Sequence, residues 1–237
     1  MLTEGARPVI SAGNNLYLNA GDLINRLGDI SAGKDAVLTG RNFISENRYE
    51  GTLGKYLIYQ QDPYIETLKP EPMEGGAFPG GLFHTRQIIK YRHSGEMNDW
   101  TPGRLLVSRL STGGNLVADF SERIESNEPY STNVGYSGVV ARPDTITAKN
   151  ILLRAGNIIT TDVMKATGDI ILQSDGSTKM ALALMTAGKD LSVLAGGGVE
   201  AWQSELKGQN ITLVSRGGDV ISHTSEWPNY FHSDGVR

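Results

Sequence analysis

The chain has 237 residues, of which 29 are glycine and 20% are charged, with a net charge of −4 and no cysteine. The lack of cysteine excludes disulfides and cysteine-ligated metal centres. The mild acidity, without a run of lysine or arginine, argues against nucleic-acid binding, and no stretch approaches the roughly 20 apolar residues that span a membrane.

A short motif recurs along the chain, in which Asn or Asp precedes a run of apolar residues. Within each of two groups the motifs lie roughly 20 residues apart, and a fixed period of this size predicts stacked coils. Each such coil buries its apolar face only against its neighbours. The motif residues are Asn15, Asp35, Asn150, Asp169, Asp190 and Asn210.

Residues 15–35 illustrate one coil. Short strands are predicted at 16–18, 23–24 and 29–31, because apolar residues there alternate or cluster between corners rich in glycine and asparagine. Three short strands in each coil predict an all-β fold, a right-handed parallel β-helix whose coils lie about 4.8 Å apart.

Equivalent residues of successive coils are expected to stack. Leu16 should lie over Ala36, and Leu191 over Ile211, with their side chains directed inward. The Asn and Asp residues are expected to form the corners by hydrogen bonding to their own backbone, as Asx turns do. The motif predicts N-terminal coils at 8–40, C-terminal coils at 146–222 and a tail at 223–237.

Between residues 41 and 145 the repeat is lost, and only the segment 113–118 resembles it. This stretch holds most of the aromatic residues and prolines of the chain. Strand candidates at 56–59, 85–92 and 104–109 resemble antiparallel hairpin material, with connections rich in glycine and proline. The sequence therefore predicts a β-rich aromatic excursion between two repeat blocks.

Two interpretations of the excursion remain open. Its aromatic residues either pack together and bridge the repeat blocks, or they form a recognition surface carried by a rigid scaffold. Tyrosine and tryptophan are the preferred anchors of protein interfaces. The residues predicted to contact a receptor are Tyr59, Tyr64, Phe78, Phe83, Tyr91 and Trp100.

No catalytic, cofactor or metal site is predicted. His84 and His93 do not have a metal-ligand spacing, and no nucleophile motif accompanies Ser94. Some β-helices cleave acidic polysaccharides with carboxylates and arginines on one face, and paired carboxylates must lie within reach of one bond. If the excursion forms a cleft, the candidates are Glu66, Glu71, Glu74, Asp99, Arg86 and Arg92. The chain is therefore interpreted as non-enzymatic, with a polysaccharide-active enzyme as an alternative.

The stretch Ile-Ser-Ala-Gly-Asn-Asn-Leu-Tyr-Leu-Asn-Ala-Gly-Asp-Leu-Ile-Asn at 10–25 is followed by Ile-Ser-Ala-Gly-Lys-Asp at 30–35. These segments resemble the filamentous haemagglutinin repeats of bacterial two-partner-secretion exoproteins, a group that includes the exoproteins of contact-dependent growth inhibition. The resemblance covers residues 10–40 and 146–221. In the growth-inhibition exoproteins a receptor-binding region and a Tyr/Pro-enriched region interrupt the repeats, and residues 41–145 are similar to such a region.

The resemblance implies an internal segment of a longer protein that is secreted to the bacterial cell surface through an outer-membrane transporter. It also implies a stalk that binds an outer-membrane protein or surface glycan of a neighbouring cell, for adhesion or toxin delivery. A purely structural spacer, in which the excursion only joins repeat blocks, is the main alternative.

Overall fold

The computed structural model describes residues 7–61, 66–67, 71–72, 83–84, 87–88, 90–127 and 142–223, with side chains for 7–48, 55–61, 90–97, 106–127 and 142–223. The chain divides into two compact units: the scaffold, Met1–Glu50 with Arg104–Arg237, and the insert, Gly51–Gly103. The described residues form strands and turns without a helix, so this part of the chain holds no helix that could span a membrane.

Seven short parallel strands, one from each coil, form the first sheet of the scaffold. Each strand pairs only with the equivalent strands of the coils before and after it. With strands numbered in chain order, the sheet contains β1 (Val9–Ala12), β3 (Asp29–Ala32), β11 (Arg109–Thr112), β13 (Ile146–Ala148), β15 (Val163–Ala166), β18 (Leu184–Ala187) and β21 (Glu205–Lys207).

The second sheet continues each coil and divides after its fourth strand. Its main ladder contains β2 (Leu16–Arg26), β4 (Ala36–Glu46), β12 (Asn115–Ser126), β14 (Asn150–Thr160), β16 (Ile170–Ser174), β19 (Asp190–Ala195) and β22 (Asn210–Ser215). The end of β14 pairs instead with a branch of three strands, β17 (Thr178–Ala181), β20 (Val199–Trp202) and β23 (Val220–His223). The predicted all-β fold with parallel strands is confirmed, and it resembles a β-helix.

Side chains alternate between the buried interior and the surface along these strands. Leu153 pairs with Ala118 in the preceding coil and with Leu172 in the following coil, and all three are 0% exposed. Its neighbour Leu152 faces outward and is half-buried. Because the period is two residues, this register places one apolar set inside and the other on the surface.

The predicted stacking differs between the two ends of the scaffold. Leu16 pairs with Ala36, and both are buried as expected. Ile211 pairs with Leu191, but Ile211 is 47% exposed. The reason is that β22 is the last strand of its ladder in the described residues, so no further coil there covers it. Of the predicted tail, His223 lies in β23, and the rest lies outside the described residues.

The Asn/Asp column forms hydrogen bonds between coils, so the prediction of bonds to their own backbone is wrong. Asn15 Oδ1 accepts from the backbone N–H of Asp35 at 3.3 Å, and Asp35 Oδ1 accepts from the N–H of Asn115 at 2.7 Å. Because equivalent residues of successive coils stack directly, each Asn or Asp oxygen has a donor of the next coil beside it. The ladder continues through Asn115–Asn150 at 2.7 Å, Asn150–Asp169 at 2.8 Å, Asp169–Asp190 at 3.2 Å and Asp190–Asn210 at 2.7 Å.

Removing one oxygen from this ladder should weaken the scaffold measurably. Asp35→Ala is expected to lower the free energy of unfolding by about 1 kcal/mol, since a backbone N–H of Asn115 loses its acceptor. Asp35→Asn retains an acceptor and should cost less than half as much. Urea unfolding measures both, with the exposed neighbour Lys34→Ala as the control. Equal losses for Asp35→Ala and Lys34→Ala would contradict a structural role for the ladder.

A charged corner lies within the second sheet, where β2 and β4 bend. Arg41 donates to the Asp22 carboxylate from Nε at 3.1 Å and from Nη2 at 2.9 Å. Asn42 Nδ2 also donates to Asp22, at 2.8 Å. The hydrogen bonds from Arg41, and then that from Asn42, hold the pKa of Asp22 below its usual value.

Strand pairing gives a narrower interruption than the predicted 41–145. Strand β4 continues to Glu46, and β12 (Asn115–Ser126) lies between β4 and β14 as a full rung. The separate compact unit is Gly51–Gly103. The coil that begins at Arg109 stands alone in sequence between two interruptions, so no period could be counted across it.

Both interruptions follow the same corner of successive coils. In the first coil a corner of only two residues, Leu27 and Gly28, joins β2 to Asp29, where the next coil begins. Asn25 pairs with Ser45, and Ser45 pairs with Ser126. The second coil departs from the ladders after Glu46, which still pairs with Arg26, and the third departs after Ser126, before Ile146 starts the next rung. Added sequence therefore enters at one corner without disturbing the register of the sheets.

Candidate binding surface on the inserted hairpin

A buried polar cluster of the scaffold fixes the two positions between which the insert lies in the sequence. Ser108 donates its backbone N–H to Asn47 Oδ1 at 2.9 Å, and its hydroxyl lies 2.8 Å from the Asn25 carbonyl and 2.7 Å from the Glu46 carbonyl. Asn47 donates its N–H to Asn127 Oδ1 at 2.7 Å. Because buried polar groups are costly to leave unpaired, this cluster holds Asn47 beside Ser108.

Two long strands, β5 (Arg48–Gln61) and β10 (Tyr91–Leu106), form a separate two-stranded sheet. Contacts between them run in opposite directions along the chain. Lys55 Nζ lies 2.6 Å from Glu96 Oε2, while the hydroxyl of Ser94 donates to the Ile58 carbonyl at 3.1 Å. This order indicates an antiparallel pair.

The antiparallel pairing continues beyond these strands toward the middle of the insert. Glu66 pairs with Ile88, and Glu71 pairs with His84. The partners keep converging in sequence, as they do along a single β-hairpin. This hairpin, built from β5 to β10, includes β6 (Glu66–Thr67), β7 (Glu71–Pro72), β8 (Phe83–His84) and β9 (Gln87–Ile88).

The hairpin presents large apolar side chains to solvent. Tyr56, Leu57, Ile58 and Tyr59 are consecutive residues of β5 and are 52%, 52%, 43% and 56% exposed. Consecutive residues of a strand point to opposite faces, so both faces of the hairpin carry apolar groups. A two-stranded hairpin is marginally stable alone in water, and exposed apolar patches of this kind mark interaction sites.

One face of the hairpin groups two of the predicted receptor contacts. The ring of Tyr59 meets the ring of His93 edge-on, with centroids 5.8 Å apart at 74°. Alternation places Tyr91 on the same face as His93, and Tyr91 is 61% exposed. Leu57 joins the same face from β5. The face thus combines two tyrosines, one imidazole and one aliphatic chain.

Charge contributes little to this surface. Its described ion pair, between Lys55 and Glu96, has side-chain exposures of 60% and 47%. Exposed ion pairs of this kind are worth about 0–1 kcal/mol and are screened by salt. Recognition by this surface would therefore depend on apolar and aromatic contacts.

The structure tests the positions of only some predicted contact residues. Tyr59 and Tyr91 are exposed and share a face, as described above. Phe83 lies in β8 and Trp100 lies in β10, and the described side chains do not include theirs. Tyr64 and Phe78 lie outside the described residues.

Sequence reasoning missed Tyr56, Leu57, Ile58 and Met97. For Tyr56, Leu57 and Ile58, the signal in the sequence was the uninterrupted run of apolar residues at 56–59. Such a run indicates a strand with apolar groups on both faces, which is buried in a large sheet but exposed in a two-stranded one.

The described residues do not assemble a catalytic group from the candidates considered. His93 contacts Tyr59, while Ser94 donates to the Ile58 carbonyl, and as neighbours in β10 they point to opposite faces. No group of three or more His, Asp or Glu side chains within the described residues could hold a metal ion. The predicted carboxylates Glu66 and Glu71 lie in β6 and β7, without described side chains.

Comparison with known proteins finds two distant relatives. The chain is 28% identical over 141 residues to the tRNA nuclease CdiA of Escherichia coli O6:K15:H31 (strain 536 / UPEC), and equally to that of Escherichia coli (strain NC101). No family model matches the chain, and no solved structure matches it significantly. The match covers 56% of this chain and 4% of either relative. The chain is thus distantly similar to a small part of two CdiA proteins.

Proposed function

We propose that the chain is a non-catalytic scaffold and receptor-binding segment of a secreted bacterial exoprotein of the contact-dependent growth inhibition type. The exposed apolar hairpin carries this proposal. The similarity to two CdiA proteins and the resemblance of the repeats to filamentous haemagglutinin support the class of protein. The nuclease activity in the relatives' name belongs to those proteins, and the match covers 4% of their length.

The scaffold in this proposal is a right-handed parallel β-helix. Successive coils pair in parallel through three strand segments, and connections between parallel strands are right-handed in nearly all proteins. Such a rod supplies reach and rigidity at the cell surface, after export through an outer-membrane transporter. Two repeat blocks flank the hairpin, at 8–46 and from 146 onward, with one further coil at 109–126.

The hairpin supplies recognition. Its apolar groups would remain in contact with water unless a partner covers them, and tyrosines that lose water on binding are frequent energetic anchors. We assign the contact face to Leu57, Tyr59, Tyr91 and His93. The proposed partner is an outer-membrane protein or surface glycan of a neighbouring cell, with Tyr64, Phe78, Phe83 and Trp100 retained as proposed contacts.

Substituting the two exposed tyrosines tests this assignment. Tyr59→Ala and Tyr91→Ala are each expected to cost about 2 kcal/mol of binding to target cells, or roughly 30-fold in Kd. Titration of fluorescently labelled protein onto target cells measures the effect. Tyr17→Ala is the matched control, because Tyr17 is 71% exposed on β2 of the scaffold.

Each outcome separates the proposed functions. If Tyr17→Ala weakens binding as much as Tyr59→Ala, the hairpin is not the contact surface. If cells bind the parent and all three variants equally, the contact face is wrongly assigned. Absence of any specific cell binding by the parent chain favours a structural spacer. Cleavage of an acidic polysaccharide by the purified chain would favour the enzymatic alternative.

A further inference from the structure

A groove of about 550 Å³ opens on the scaffold, at the corner between the first and second sheets. In the flanking coils, three residues separate the equivalent positions on either side of this corner: 113–115 lie between Thr112 and Leu116, and 167–169 lie between Ala166 and Ile170. The fourth coil makes the same corner with two residues, at 149–150, although its strands keep full register with both neighbours. The shorter corner leaves a recess between the coils before and after it.

One side of the groove is an outward-facing column of the first sheet. Thr147 pairs with Lys165, and Lys165 pairs with Thr186, so the three side chains occupy successive rungs about 4.8 Å apart. All three residues line the groove. The ammonium group of Lys165 lies 2.9 Å from Asp144 Oδ1, which holds it at the groove.

Corner residues line the opposite side, where Lys149 and Thr167 face the same space. Within the described residues, Lys149 makes no ion pair, and the hydroxyls of Thr147, Thr167 and Thr186 make no hydrogen bond. One ammonium group and three hydroxyls therefore converge on the groove with their hydrogen-bonding capacity unused by the protein. The neighbouring backbone is already paired, since the N–H of Thr167 donates to the Ala148 carbonyl at 3.3 Å.

We propose that this groove binds an acidic saccharide, with a carboxylate of the sugar paired to Lys149. A hydroxyl both donates and accepts, as a ring hydroxyl of a sugar requires of its partner. The small residues Gly113, Ala148 and Ala166 also line the groove and leave room for a sugar ring. The column of Thr147, Lys165 and Thr186 runs along the direction in which a chain of sugars would lie.

Other anionic ligands fit the groove less well. A nucleic acid would need more cations and an aromatic side chain for base stacking, and the residues that line this groove include no aromatic one. An extended peptide would need free main-chain groups, but the strands here are paired on both sides. The mixture of hydroxyls with few cations therefore favours a saccharide that carries single, spaced charges.

Binding of trigalacturonic acid to the whole chain tests the proposal, with its methyl ester as the neutral probe. Ligand-observed NMR titration should show saturable binding of the acid and at least about tenfold weaker binding of the ester. Lys149→Gln and Thr147→Val should each weaken binding of the acid about tenfold. Lys189→Gln removes the same charge from the corner of a later coil, outside the groove, and should leave the affinity unchanged.

A glycine inserted between Ala148 and Lys149 restores the three-residue corner and should abolish binding. Urea unfolding shows whether the scaffold of this variant is folded. If it is not folded, the affinity of Thr147→Val for the acid decides the test. The proposal is overturned if the acid does not bind, if the ester binds equally, or if Lys189→Gln matches Lys149→Gln. Equal displacement of the acid by inorganic phosphate at the same concentration would reduce the groove to a simple anion site and would also overturn it.

Discussion

Replacing Leu153 by aspartate is expected to unfold the scaffold around the fourth coil. Leu153 is 0% exposed and packs between Ala118 and Leu172 of the adjacent coils. A carboxylate at this point would lie among apolar groups without a partner, which costs about 4 kcal/mol or more. Since each coil of a stacked protein is stabilised by its neighbours, loss of one coil weakens the coils on both sides.

The matched control for this change is Leu152→Asp. Leu152 is adjacent in sequence and chemically identical, but it faces outward and is half-buried. Its replacement should cost roughly 1 kcal/mol or less. Urea unfolding followed by circular dichroism measures both variants. Similar losses from the two changes would mean that the strand register is wrong by one residue, because such a slip exchanges the two faces.

Excising the hairpin is expected to abolish binding to target cells while leaving the scaffold folded. In this variant an Asn-Gly turn replaces Gly51–Gly103, so that a short hairpin joins Glu50 to Arg104. The polar cluster of Asn47 and Ser108 remains and holds the ends of the turn together. Loss of two anchors worth about 2 kcal/mol each corresponds to roughly a thousandfold weaker binding.

Two measurements accompany this excision. The urea midpoint of the excised chain should stay close to that of the parent, because β4 and β12 still pair directly. The excised chain should also fail to compete with the labelled parent for target cells. Retained competition would place receptor binding on the scaffold, and a collapsed urea transition would show that the insert stabilises the coils.

Much of the scaffold could be predicted, because each coil is marked by a short motif of neighbouring residues. The motif before Leu16, Leu191 and their equivalents marks one corner of each coil, and the register of the sheets follows from it. The bonding of Asp35 could not be read in this way. Asp35 Oδ1 accepts from the N–H of Asn115. These two residues lie on either side of the insert in the sequence and become neighbours only in the folded chain.

The insert was less predictable than the scaffold. Strand candidates such as 56–59 were identifiable, but the face that Tyr59 shares with Tyr91 depends on the pairing of β5 with β10. That register is set by the hairpin as a whole rather than by any local motif. The polar cluster of Ser108 was also missed, because its members Asn25, Asn47 and Asn127 come from three different coils.

The corner that follows Ser45 and Ser126 in successive coils gives the protein a way to diversify. Residues added there leave the pairing of Leu110 with Ile30 and with Ile146 intact. The sheets of the scaffold therefore do not need to rearrange around an inserted segment. A foreign loop can be inserted at the same corner. If its ends are spaced like those of the native insert, the existing coils would hold them in place.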